Sequence, residues 1–82
     1  MNEVLVRTIM NFLHFLDSCD EDVLDDDQAV SLQEEIAAIL SELGAKDRTQ
    51  LSKVMSSVAK AETDTGRKAS FSSMFENLGL AD

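Results

Sequence analysis

Across 82 residues this chain carries no proline and only three glycines, Gly44, Gly66 and Gly79. Proline and glycine are the residues that stop helices and build tight turns, so a β architecture of this length would need many more of them. What remains is a chain whose apolar periodicity can run uninterrupted through long helices, with breakers at only three places. A chain of this length makes one domain, residues 1–82, with a core near the lower limit for independent stability. That size argues against a large enzyme with a deep, separately built active site.

The periodicity places the helices. Residues 3–18 predict the first: Arg7, Asn11, His14 and Ser18 form one polar stripe, and Leu5, Ile9, Phe12 and Leu16 an apolar one, widened by Val6, Met10, Leu13 and Phe15. An arc this broad predicts a central helix packed on two neighbours. The acidic run 17–27 follows, with a short helical turn admitted by the Ser18–Glu21 spacing and with Val23 and Leu24 expected to pin it to the core. A second helix is predicted over 27–43, burying Ala29, Leu32, Ile36, Ile39, Leu40 and Leu43, with Gly44 as the residue past its end. Asp47 reads as the N-cap of a third helix burying Leu51, Val54, Met55, Val58 and Ala59, which fades near Glu62. Thr63 to Gly66 reads as a loop. A short fourth helix over 67–78 places Phe71, Met74, Phe75 and Leu78 on one face, with serines 70, 72 and 73 serving its N-terminus and Gly79–Leu80 closing it as a Schellman motif. The expected fold is all-α, a compact bundle of four helices with the last one short.

Charge is the most informative feature for function. Acidic residues outnumber basic ones 16 to 7, and the net charge is −9. The imbalance lies in the first half: residues 1–45 carry a net of −10 and residues 46–82 a net of +1, with no Lys or Arg between Arg7 and Lys46. A block of one sign costs stability by self-repulsion. Helix capping explains one or two of Asp25, Asp26 and Asp27 but not Asp20, Glu21 and Asp22 as well. Solubility is the plain alternative; a surface for a basic protein is the sharper reading. The same charge argues against nucleic acid and against anionic membrane as partners, since both are negative.

Other chemistry is not legible. The aspartates do not fit a calcium loop: counted from Asp20, position 5 is Leu24 and position 6 is Asp25; counted from Asp22, position 3 is Leu24. His14 stands alone on the polar stripe, without the companions a zinc site or general base needs. Cys19 has acidic neighbours that disfavour a thiolate, and it reads as a small residue at a helix end. A lone cysteine is the usage of a reducing compartment, and no signal peptide or bilayer-spanning stretch is legible, so a cytoplasmic protein is expected. No phosphate loop, metal set or nucleophile–base motif stands out, so the reading is a non-enzyme without cofactor.

The stretch Phe12-Leu13-His14-Phe15-Leu16, then Asp20-Glu21-Asp22-Val23, Asp25-x-Asp27-x-Ala29-Val30 and Ile36 to Leu43, resembles small acidic helical immunity proteins of bacterial polymorphic toxin and contact-dependent inhibition systems. The resemblance covers residues 12–51; Asp26 stands where the pattern has proline. It implies a protein that binds one toxin domain, a ribonuclease by preference, blocks its basic cleft, and is monomeric in that complex. The residues expected to meet the partner are Asp20, Glu21, Asp22, Asp25, Asp26, Glu34 and Glu35. A small acidic adaptor or anti-activator for a basic regulatory protein is the alternative, and it predicts the same surface.

Overall fold

Two helices begin on a side chain that takes a free amide. Asn2 accepts from the Leu5 N–H at 3.1 Å, and Asp64 from the Arg67 N–H at 2.8 Å. The computed structural model, which describes residues 1–81, has four helices: α1 (Glu3–Ser18), α2 (Asp26–Leu40), α3 (Ala45–Ala61) and α4 (Thr65–Asn77). No strand occurs among the described residues, so the fold is the all-α four-helix arrangement that the periodicity predicts.

Several boundaries differ from expectation, each for a local reason. Asp47 does not cap α3. Gly44, extended at φ −68° and ψ 168°, is the N-cap, and its carbonyl accepts from the Arg48 N–H at 2.9 Å, so Asp47 falls in the first turn. Gly44 is therefore not the left-handed residue closing α2. That helix stops at Leu40 and tightens through short bonds from the N–H groups of Glu42 and Leu43 to the carbonyls of Ile39 and Leu40. The Asp64 cap starts α4 at Thr65, so Gly66 is helical rather than in a loop. The serines of α4 lie inside the helix; Ser72 Oγ donates to the Lys68 carbonyl at 2.8 Å and caps nothing. At the far end the expected motif forms. Gly79 sits at φ +74°, its N–H reaches the Glu76 carbonyl, the Leu80 N–H reaches that of Phe75, and the Leu80 side chain is buried.

The core joins three helices. Val6, Met10 and Leu13 of α1 meet Leu51, Met55, Val58 and Ala59 of α3 and Phe71 and Met74 of α4, closed by Leu80. Ile36, Leu40 and Leu43 pack only partly against this cluster, because among the helices α2 touches α1 alone. Of the stripe Leu5, Ile9, Phe12 and Leu16 only Leu16 is buried on α1, and the burial falls on three of the residues that widen it, Val6, Met10 and Leu13. Leu5 is 62% exposed and Phe12 45%, while Met10 is completely enclosed. Leu32 and Ile39 of α2 are exposed as well. The physical reason is that α1 has apolar residues on two sides and α2 covers too little of the second. The surface reflects this: the chain exposes 5546 Å², where a compact monomer of its mass exposes about 4,850 Å².

Arg48 ties α2 to α3. Its Nε donates to the Leu43 carbonyl at 3.1 Å and its Nη2 to the Ser41 carbonyl at 2.6 Å, a cation on the carbonyl end of α2. Arg48→Ala is expected to destabilise by about 1–2 kcal/mol, read as a lower urea midpoint at unchanged slope. An unchanged midpoint would mean that water replaces the guanidinium without loss.

Candidate partner interface

The acidic block occupies the α1–α2 connection and the start of α2. Cys19 ends α1, and a single turn follows, closed by the N–H groups of Val23 and Leu24 on the Asp20 carbonyl at 2.9 and 3.1 Å. Ser18 takes no part in this turn, since it is the last residue of α1 and its Oγ donates to the His14 carbonyl. Val23 does not pin the segment: it is 65% exposed, whereas Leu24 is half-buried. Asp20, Glu21 and Asp22 are exposed in this turn, Asp25 occupies the N-cap position of α2, and Asp26 and Asp27 lie in the first helical turn. Asp25 makes no side-chain capping bond, so capping accounts for less of the block than the sequence allows. The positive end of the α2 dipole offsets part of the repulsion between these carboxylates.

Among the described residues the ion pair that forms is Arg67–Glu62 at 3.9 Å, outside the block. Inside it, acid meets acid. The Glu21 carboxyl is held above the ordinary glutamate range, first by a hydrogen bond shared with Asp26 and then by repulsion from that carboxylate. A raised value means that the folded chain binds this proton more tightly than the unfolded chain. Its stabilising contribution is therefore complete below the unfolded glutamate value and is lost as pH rises through the raised one. Glu21→Gln is expected to have little effect on the melting temperature near pH 4 and to raise it toward pH 7 at low salt (unfolded glutamate titrates at about pH 4.3). A pH-independent difference would contradict the Glu21–Asp26 coupling.

The seven predicted contact residues do not form one flat surface. Glu34 and Glu35 are both exposed on α2, but neighbouring positions on a helix diverge by about 100°. Glu34 lines a groove between α2 and α4 together with Asp17, whereas Glu35 does not. Asp17 is the residue that the sequence reading leaves out of the interface. It belongs to the acidic run, but only the gap that α2 and α4 leave over α1 gives it a place at the groove. His14, expected on the surface, is half-buried with its ring edge-on to Phe71, centroids 6.2 Å apart.

Among the described residues no group of three or more His, Cys, Asp or Glu side chains is placed to hold a metal ion, and no helix is long and apolar enough to cross a membrane. Comparison with protein-family models, with curated proteins and with solved structures gives no match.

Proposed function

We propose that this chain is a binding module for a basic protein, and that its partner is a toxin domain of the nuclease kind, which it neutralises as an immunity protein does. One observation carries the reading: Asp20, Glu21, Asp22, Asp25 and Asp26 are all exposed, and no lysine or arginine among the described residues pairs with them. Carboxylates kept together without counter-charge maintain repulsion that a basic partner would relieve. A nuclease cleft is basic because it must hold phosphates, so such a block competes for the same field. The toxin class is supported by the resemblance over residues 12–51. In this proposal the chain is non-catalytic, acts in the cytoplasm of a bacterium and is monomeric in the complex.

The test is co-expression of the tagged protein with the products of the genes flanking its own, followed by capture at low and at high salt. Recovery of one basic protein, lost or slowed at high salt and inhibited in a nuclease assay, is the expected result. A basic regulatory protein without nuclease activity would replace the toxin by an adaptor's target. A folded monomer that recovers nothing would leave the block as a solvated face.

A further inference from the structure

The proposed partner surface supplies charge but little apolar anchoring, and lasting affinity needs buried apolar contacts. The groove between α2 and α4 has them. Leu13 lines it from α1, Val30 from α2, Met74 from α4 and Leu78 from the residue just past α4, and its charged residues, Asp17 and Glu34, are both acidic. It exists because α2 touches only α1 among the helices, so the α2–α4 side of the bundle is left unfilled. Its volume, about 200 Å³, exceeds the roughly 150 Å³ of an apolar cavity that holds benzene, so one large apolar side chain fits.

We propose that this groove is the anchor site for an amphipathic segment of the basic partner, which seats an apolar side chain between α2 and α4 and sets lysine or arginine against Asp17 and Glu34. The proposal rests on the basic-partner reading and adds the place and chemistry of the anchor. Charge selects the occupant. A second copy of this acidic chain would bring a further −9 toward the same carboxylates, whereas a basic segment gains on both counts. The apolar stripe of α1 at Leu5, Ile9 and Phe12 has no such signature.

Three synthetic peptides test this on the intact, isotope-labelled protein: a 14-residue helix with leucine on one face and lysine on the other, the same helix with glutamate for lysine, and an oligolysine. The leucine–lysine peptide is expected to shift the backbone amides of Leu13, Val30, Ala37 and Met74. Ala37→Leu, which fills the groove, and Val30→Lys, at a half-exposed position, should each weaken it about tenfold or more, equivalent to 1.4 kcal/mol per factor of ten. Phe12→Ser, on the other side of α1, should not. Equal binding of the glutamate peptide would overturn the proposal, as would groove shifts that appear with protein concentration alone, which would make the occupant a second copy. If both basic peptides shift only residues 20–27, the anchor site fails and the basic-partner reading stands. If neither peptide shifts any amide at about 1 mM, both fail.

Discussion

Replacing Asp20, Glu21, Asp22, Asp25 and Asp26 together by Asn and Gln is expected to slow association with the basic partner by about ten- to a thousandfold at low ionic strength. The fold should survive, because all five side chains are exposed and Asp25, the one at a cap position, makes no capping bond. Stability should stay level or rise as the Glu21–Asp26 repulsion is removed. Stopped-flow association beside a thermal melt separates the two effects. A slower on-rate with an intact melt places the loss at the interface. An unchanged on-rate would reduce the block to a solubility device.

Phe71→Ala is expected to remove a large part of the stability. Phe71 is buried where α4 meets α1 and α3, and it packs edge-on against His14. Truncating a buried phenylalanine costs about 3–5 kcal/mol, and a domain of this length has roughly 4–12 kcal/mol in total. The melting temperature should fall by more than about 10 °C. Phe12→Ala is the control of equal chemistry. At 45% exposure it should cost about 1 kcal/mol or less. Equal losses at the two positions would mean that α1 is turned toward its other apolar side.

That pair of substitutions also marks where the sequence stops being legible. The number of helices, the buried stripe of α3 and the Gly79–Leu80 ending follow from spacing, because each depends on residues within one or two turns of one another. The rotation of α1 does not, since its two apolar stripes differ only by which neighbours arrive. Leu5 and Met10 look alike until α3 and α4 are placed. The starts of α3 and α4 move earlier because Gly44 and Asp64 serve as N-caps in extended backbone, and several polar residues nearby compete for that role. Of the interface, the acidic block is readable as charge, but its relation to an apolar groove is not. The grouping of Asp17 and Glu34 with Met74 and Leu78 requires knowing that α2 and α4 leave a gap. Arg48 as the cap of α2 is equally invisible, because the bonds to Leu43 and Ser41 depend on the turn between two helices.

The most direct test of the central claim is the association rate of the wild-type chain with its captured partner, measured across ionic strength. If the exposed carboxylates steer and seat a basic surface, the rate is high at low salt and falls steeply as the screening length shortens from about 30 Å at 0.01 M to about 8 Å at physiological salt. A rate that stays flat across that range would contradict the claim and leave binding to the apolar faces alone.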